Sequence, residues 1–342
     1  MSITLKALAE AAGVSRGTVD RVLHQRGAVK KVVRERIERL AKELGYVPNM
    51  AGRALSAHRT PYKIGVMIPA LGNVFFDEVI EGINAAAREF QELGAQVQIL
   101  SISGYDVQEH VSTIRKLGQS GCRALCLATV NTQESRAAIN ELVESGLKIV
   151  LLNTDVEDSR RLCYVGSDYL KAGRTCAGML SMLVNLPRLK VLTVAGSKLI
   201  LGHNLRLQGF REELQRLQVP FEEVASRESS DSDVIAREVT YAELSAHPEI
   251  NCIYVTGAGT AGVGAAIKQT GRSDIICVGF DDIAGNKALL REGVLKFVIC
   301  QQPRSQGYHA VKCAFMALAG RLGENPRDYI TETIIKIDSN LD

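Results

Sequence analysis

The sequence has little of what would send a chain to a membrane, to the outside of a cell or to a metal. Across its 342 residues no apolar run approaches the ~20 residues that span a bilayer. The start, Met1-Ser2-Ile3-Thr4-Leu5-Lys6, lacks the charged segment, long apolar core and small-residue cleavage site of a secretory signal, which predicts a cytoplasmic protein. Eight cysteines include no C-x-x-C pair. Nearly all fall inside apolar segments such as Ala124-Leu125-Cys126-Leu127 and Ile275-Ile276-Cys277-Val278, the setting of buried free thiols rather than of a redox or metal centre. His24, His58, His110, His203, His247 and His309 show neither H-E-x-x-H nor any paired ligand spacing, and there is no G-x-S-x-G elbow. These absences predict no metal, no cofactor and no catalysis of those kinds.

What is present is an ordinary globular composition, 46% hydrophobic and 23% charged, long enough for two or three compact units. The net charge of +3 hides an uneven division. Residues 1–60 carry 12 Lys and Arg against 5 Asp and Glu, while the rest of the chain is net acidic. The basic end is the candidate polyanion binder, although a solvated basic face would give the same count.

Thr4 can cap a helix in which Leu5, Leu8, Ala9 and Ala12 recur at three- and four-residue spacing, and Gly13 ends it. Ser15 can cap a second helix, Arg16 to His24, with Val19, Val22 and Leu23 inward. Two short helices joined by a tight glycine turn predict a helix-turn-helix. The outer face of the second helix carries Arg16, Gly17, Asp20, Arg21 and His24. Such a face reads base edges from its N-terminal half, which makes Arg16 and Arg21 the candidates for guanine contact. Asp20 and Gly17 would shape the preference, and Ser15 and Thr18 would hold phosphate. A third amphipathic helix, about Lys31 to Leu44, completes a three-helix core and stops at Gly45.

The string Leu5-x-x-Leu8-Ala9-x-x-Ala12-Gly13-Val14-Ser15-x-x-Thr18-Val19-x-Arg21-Val22-Leu23, followed by Leu44-Gly45-Tyr46-Val47-Pro48-Asn49, resembles the lactose-repressor family. That resemblance implies operator DNA as partner and a hinge after Pro48-Asn49 that becomes helical on the operator, with Leu55 in the position that wedges into the minor groove and unstacks a base step. Asn49 enters the DNA-contacting set with it. Asp20 and His24 depart from the family's usual Ser and Asn, which points to a different operator sequence. Hinge Gly52 lowers helix propensity by up to about 1 kcal/mol relative to Ala.

From Lys63 onward, strand-like apolar runs alternate with amphipathic helices, which predicts parallel sheets covered by helices and a ligand at the carboxyl ends of the strands. The runs are Ile64 to Ile68, Val97 to Ile102, Ala124 to Thr129, Ile149 to Asn153, Val191 to Ala195, Cys252 to Val255, Ile275 to Phe280 and Phe297 to Cys300. This segment resembles the periplasmic sugar-binding-protein fold that the same family carries as its effector domain. The implied organisation is an all-α helix-turn-helix domain at 1–46, a hinge at 47–61 and a two-lobed α/β effector domain at 62–342. Lobe 1 takes residues 62–168 and 303–330, and lobe 2 takes 169–302 and 331–342.

Four signatures resemble those by which ribose-binding-type members hold a sugar: Asn73 with Phe75 and Phe76, then Arg206, Asp281 and Gln301. A polyol both donates and accepts at every hydroxyl, so a closed cleft needs a carboxylate to accept, a guanidinium to donate, amides for both and an aromatic face for the C–H side. Phe75 and Phe76 as plain core, and Arg206 and Asp281 as ordinary ion-pair partners, are the alternative readings of those residues. Sugar-binding relatives carry Asp-Arg after the fourth strand, where this chain has Asn153-Thr154 with Asp155 next, and Asn or Asp where it has Ala258. The expected effector therefore shifts from a common pentose or hexose toward a polyol, cyclitol or modified sugar, with Asn153 and Asp155 among the candidate contacts.

One competing signal remains. Gly257-Ala258-Gly259-Thr260-Ala261-Gly262 is G-x-G-x-x-G after a strand run, with Asp281 downstream, the fingerprint of a nicotinamide-dependent enzyme or an NAD-sensing repressor. Only 80 residues follow Gly262, too few for the two halves of a dinucleotide domain plus a substrate domain. A two-fold protein matched to a palindromic operator predicts a homodimer, and the whole reading is that of a cytoplasmic, nucleoid-associated repressor.

Overall fold

The computed structural model describes residues 3–23, 29–44, 61–183, 187–323 and 326–341. His24, Asn49, Leu55 and nearly all of the hinge at 47–61 lie outside the described residues. The chain divides into two compact units.

The first unit, Met1–Tyr62 with Phe90–Ala95, begins with three helices. Helix α1 (Leu5–Ala11) is capped by Thr4, whose hydroxyl accepts from the Ala7 amide at 3.2 Å, and Gly13 turns the chain with φ +62°, a conformation that costs glycine nothing sterically. Helix α2 (Arg16–Leu23) and helix α3 (Lys31–Glu43) follow. Leu8, Ala9, Ala12, Val19, Val22 and Ile37 close a core among the three helices. Their spacing leaves the other face of α2 to solvent.

The second unit contains two sheets. The first runs through β1 (Tyr62–Leu71), β2 (Ala95–Ser103), β3 (Ala124–Leu127), β4 (Lys148–Asn153) and β5 (Cys163–Ser167), the second through β6 (Leu189–Ala195), β7 (Phe221–Glu228), β8 (Cys252–Val255), β9 (Ile276–Phe280) and β10 (Leu295–Cys300). Each sheet gains one late strand, β11 (Tyr329–Thr331) in the first and β12 (Ile334–Lys336) in the second. The orders are β2-β1-β3-β4-β5-β11 and β7-β6-β8-β9-β10-β12. The two lobes thus share one strand order; from β1 through β3, β4 and β5 to β11 the pairs are parallel, as they are from β7 through β6, β8 and β9 to β10, while β12 runs antiparallel to β10. The chain passes from one sheet to the other three times. Strands such as Ala124–Leu127 and Cys252–Val255 are buried at every position, as a parallel sheet covered on both faces requires.

The covering helices of the first lobe are α4 (Phe75–Gln91), α5 (Val107–Gln119), α6 (Gln133–Glu144) and α12 (Pro303–Leu318), and those of the second are α7 (Tyr169–Leu183), α8 (Leu201–Arg216), α9 (Asp233–Ala246), α10 (Thr260–Thr270) and α11 (Ala284–Arg291). Helices α7 and α8 approach so closely that a β-carbon added at Gly173 would lie 2.0 Å from the Arg206 carbonyl oxygen, and one added at Gly209 would lie 2.1 Å from that of Leu170. The order β2-β1-β3 makes consecutive crossovers leave in opposite directions, which opens a crevice at the carboxyl ends of the central strands. Both lobes bring such a crevice to one cleft. Among the described residues no helix is long and apolar enough to cross a membrane, and no His, Cys, Asp and Glu group could hold a metal ion. Seven of the eight cysteines are buried and Cys313 is half-buried.

Candidate functional site: a reading helix and an interlobe cleft

In the helical unit, Ser15 ends the turn and its hydroxyl accepts from the Thr18 amide at 3.1 Å, while the two hydroxyls lie 2.9 Å apart. Ser15, Arg16, Gly17 and Arg21 are exposed, and Thr18 and Asp20 are half-buried. Arg21 Nε donates to the Gly17 carbonyl at 3.1 Å, one turn back, which lays the side chain along the exposed face. Six of the predicted DNA-contacting residues, Ser15, Arg16, Gly17, Thr18, Asp20 and Arg21, therefore share one helix and its entry turn.

The cleft between the lobes encloses about 50 Å³ and opens in part to solvent, well below the ~300–1,000 Å³ of most small-molecule sites. Asn73, Phe75, Phe76, Asn153, Arg206, Asp281 and Gln301 all line it. Asp155 does not. Its two oxygens take Arg161 in a fork, 2.7 Å from Nε and 2.7 Å from one terminal nitrogen, and Arg161 reaches on to Asp328. The turn after β4 brings Arg161 back over Asp155, so this carboxylate ties the turn to the segment before β11.

Arg206 is the centre of the cleft. It projects from α8, is 3% exposed, and holds its guanidinium carbon 3.7 Å from the Phe280 ring centroid and 4.8 Å from that of Tyr169. One terminal nitrogen donates to the Thr256 carbonyl at 2.7 Å. Its Nε and other terminal nitrogen have no hydrogen-bond partner among the described residues, and the same is true of Gln301 Oε1 and Thr154 Oγ1, both in cleft-lining residues. Buried donors and acceptors left unpaired cost about 1–3 kcal/mol each, so their grouping around one space marks a place built for a polar molecule.

Asp281 ends β9 with φ +68° and Asn153 ends the corresponding β4 with φ +64°. The two lobes thus place a polar residue in the same left-handed bend at the cleft. Gln301 Nε2 donates to both Asp281 oxygens, at 3.0 and 2.8 Å. Burial pushes the Asp281 carboxyl up to about 7, with nearby Asp282 and Glu78 adding to the rise while Arg206 and Gln301 pull against it. Asn153 is turned partly to the interlobe hinge, the place where the chain crosses between the two sheets. Its amide nitrogen donates to Gln306 Oε1 at 3.1 Å and its carbonyl accepts from the Tyr164 and Tyr169 hydroxyls. Asn73 Oδ1 accepts from the Phe75 amide at 3.1 Å, starting α4. Phe75 and Phe76 meet edge to face, with centroids 5.2 Å apart.

Sequence reasoning missed Tyr105, Thr154, Tyr169, His203 and Asp231, all in the cleft lining. The Tyr105 hydroxyl, from the loop after β2, donates to Asp231 Oδ2, from the loop after β7. Asp231 Oδ1 accepts from the Ala258 amide at 2.8 Å. Tyr105 is placed by a buried histidine, since His110 bonds Thr129 at 2.9 Å and the Gly104 carbonyl at 3.2 Å. Gln306 was missed as well. Fully buried, it donates to the Gln301 carbonyl at 2.8 Å and ties both hinge strands together.

The glycine string finds its use in packing. A β-carbon at Gly262 would lie 1.9 Å from the Asp233 carbonyl oxygen and one at Gly257 would lie 2.4 Å from Asp231 Oδ1. These glycines let α10 approach α9 and seat the Asp231 carboxylate. Gly259 precedes α10 at φ +97°.

Comparison with known proteins decides what the two units make together. Residues 4–49 match the model of bacterial regulatory proteins of the lacI family, and residues 64–322 match a periplasmic binding protein domain. The chain belongs to the lacI family of bacterial regulatory proteins. In this lacI-family regulator the helical unit carries the family's DNA-binding helix-turn-helix, and the cleft lies within the part that matches a periplasmic binding protein domain. The transcriptional regulator GntR of Pseudomonas aeruginosa is 29% identical over 83% of this chain and 80% of its own. The transcriptional regulator DegA of Bacillus subtilis is 27% identical over 65% of this chain, and the match spans 64% of its length. GanP, a glucose-galactose binding protein from Geobacillus stearothermophilus, superposes on 82% of this chain and 99% of its own with a TM-score of 0.76 and 27% identity. The dinucleotide reading of Gly257-Gly259-Gly262 finds no favour in these relatives, which are regulators and a sugar-binding protein.

Proposed function

We propose that this lacI-family regulator is a homodimeric repressor whose operator affinity is set by a neutral sugar-like effector, a polyol or cyclitol, held between the lobes. The observation that carries the effector reading is the set of unpaired buried groups, two donors on Arg206 and acceptor or hydroxyl groups on Gln301 and Thr154, facing the half-buried Asp281 carboxylate. Asn73, Phe75, Phe76 and Asn153 complete the contact set, and Asp155 acts at one remove through Arg161. No enzymatic step is assigned. We place the domains at 1–46, 47–61 and 62–342, with lobes 62–168 and 303–330, then 169–302 and 331–342, and the protein in the cytoplasm at the nucleoid.

On DNA, Arg16 and Arg21 take base edges and Ser15 and Thr18 phosphate, with Gly17 and Asp20 shaping the preference. His24, Asn49 and Leu55 are assigned to the same interface on the family pattern. One reading helix covers one half-site, so a palindromic operator takes two copies of the chain. Effector closure of the lobes changes the spacing of the two hinges and thereby operator affinity.

The test is a thermal-shift screen of the full chain against sugars, polyols, cyclitols and nicotinamide dinucleotides. A ligand at 100 times its dissociation constant stabilises the folded state by about 2.7 kcal/mol. A neutral polyol that also changes operator affinity, measured by fluorescence anisotropy, supports the reading. Micromolar dinucleotide binding that is lost in Gly259→Val refutes it. A monomeric mass at micromolar concentration with undiminished operator affinity refutes the dimer.

A further inference from the structure

The cleft contains a carboxylate that the effector assignment does not use. Asp231 sits with φ +56° in the loop between β7 and α9. Its Oδ1 lies 2.8 Å from the Ala258 nitrogen and its Oδ2 accepts from the Tyr105 hydroxyl of the other lobe. Gly196 and Gly257 exist around it as glycines for space, since a β-carbon on either would fall 2.1 or 2.4 Å from Asp231 Oδ1. The next carboxylate along, Asp233, accepts from the Gly262 amide at 3.1 Å. Two of the amides around the start of α10, those of Ala258 and Gly262, where an anion would otherwise be attracted, are therefore engaged by the protein's own carboxylates.

The remaining charges of the cleft point the same way. Arg206 is the single Lys or Arg among the lining residues, against the two carboxylates of Asp231 and Asp281. Its charge already faces Asp281, whose pKa it lowers. His203 supplies no positive charge. Burial lowers its pKa, outweighing the pull of Asp231, and its Nδ1 accepts from the Ser197 amide at 3.0 Å. An anionic effector group entering here would meet like charge in a half-buried space, an arrangement that disfavours binding. A neutral hydroxylated molecule meets donors on Arg206 and acceptors on Asp281 and Gln301.

We propose that Asp231 is a specificity-determining residue of the cleft: clamped between the Ala258 amide and the Tyr105 hydroxyl, it takes the place that a phosphate or carboxylate of an effector would need and restricts the effector to uncharged polyols and cyclitols. The assignment rests on the effector reading given above, and it divides neutral sugars and cyclitols from their phosphorylated and oxidised forms.

The test uses the full chain and inorganic phosphate as the anion probe, titrated at constant ionic strength and read by isothermal calorimetry and thermal shift. Wild type is expected to show no saturable phosphate binding. Asp231→Ala frees the Ala258 amide and removes one negative charge, and is expected to gain phosphate affinity at least about tenfold, the equivalent of 1.4 kcal/mol. Adding Arg206→Ala to that variant is expected to abolish the gain, which locates it in the cleft. Asp231→Asn keeps an acceptor for Ala258 and loses only the charge, so it gives a smaller gain and a folded protein if the alanine variant does not fold. Saturable phosphate binding to wild type that Arg206→Ala removes overturns the proposal, and so do folded Asp231 variants no more responsive than wild type. A screen of neutral polyols on the same proteins separates the two ideas. Phosphate gained by Asp231→Ala while no neutral polyol binds any form sinks the effector reading and upholds the role of Asp231. Polyol binding together with phosphate binding to wild type in the cleft does the reverse.

Discussion

Replacing Arg206 by alanine is the most informative perturbation of the cleft, because the structure separates what the side chain does for the fold from what it offers a ligand. For the fold it supplies one bond, to the Thr256 carbonyl at 2.7 Å, and a flat surface packed on Phe280 and Tyr169. For a ligand it offers Nε and one terminal nitrogen, both buried and both unpartnered among the described residues. Hydrogen bonds to a charged group contribute about 1.5–3 kcal/mol each. Two of them amount to roughly 3–6 kcal/mol, so Arg206→Ala is expected to weaken effector binding by about two to four orders of magnitude. The unfavourable effect on stability is smaller, on the order of 1–3 kcal/mol, from the orphaned Thr256 carbonyl and the lost packing. The assay pairs calorimetric titration of the effector with operator binding by anisotropy in its absence. Arg206→Lys keeps the charge but not the planar fork, and is expected to fall between the two. An effector affinity within about threefold of wild type would refute the reasoning, as would parallel loss of unliganded operator binding, which would make Arg206 a structural residue alone.

Effector affinity is expected to fall about tenfold between pH 8 and pH 6, because Asp281, with its pKa at about 7, goes from about nine-tenths to one-tenth ionised and only the carboxylate accepts two hydroxyl donors; a flat profile in calorimetry refutes its role as acceptor. The same raised pKa works in the opposite sense on the unliganded protein. Its contribution to stability is complete below the unfolded-state pKa and disappears as pH rises through about 7, so the melting temperature of wild type should rise on going from pH 8 to pH 5.5 relative to Asp281→Asn. Arg21→Ala is expected to relax base preference in an operator-variant panel by about 1–3 kcal/mol at one position; a uniform loss on all sequences would make it a phosphate contact. Gly173→Ala places a β-carbon 2.0 Å from the Arg206 carbonyl oxygen, and the resulting overpacking is expected to cost about 1–3 kcal/mol in denaturant titration and to weaken effector binding by moving α8.

The parts of this molecule that were legible in the sequence are those fixed by local pattern. Leu8, Ala12, Val19 and Val22 recur at helical spacing, and they form the core of the helical unit. The apolar runs at 64–68, 124–129, 149–153 and 275–280 each mark a strand, although the second strand stops at Leu127 and the last begins at Ile276, because a doubly covered parallel sheet leaves them no polar face. Four strands were not recognised. β7 (Phe221–Glu228) carries Glu222, Glu223, Arg227 and Glu228 because it is an edge strand, where charge blocks further pairing. β5 (Cys163–Ser167) and the three-residue β11 and β12 are too short for periodicity to declare them. The loss of β7 carried a consequence for the site, since Asp231 lies just beyond its end and its partner Tyr105 lies just beyond β2, its counterpart in the other lobe. Only pairing between lobes, 126 positions apart, brings them together. Asp155 failed for the opposite reason. Its position beside Asn153-Thr154 suggested the cleft, but Arg161, six residues on, captures it first.

The position of the two contacts that cross the cleft mouth bears on how the regulator responds. Besides Tyr105 with Asp231, the Asn131 amide donates to the Leu199 carbonyl at 2.7 Å, again from lobe 1 to lobe 2. Neither involves the hinge, where Gln306 holds Asn153 and the Gln301 carbonyl in one network. The lobes therefore have a closed arrangement stabilised by the protein's own groups, at roughly 0.5–1.5 kcal/mol per neutral bond and more for the bond to Asp231. A ligand moves such an equilibrium only by the difference between its affinities for the open and closed forms. Because the closed form has contacts of its own, part of the shift is present before the effector arrives. Tyr105→Phe removes the stronger of them without touching Arg206, Asp281 or Gln301. It is expected to widen the separation of lobe-attached fluorophores in the unliganded protein and to enlarge the change that effector then produces, while unchanged separation would show that the cleft closes by its hinge alone.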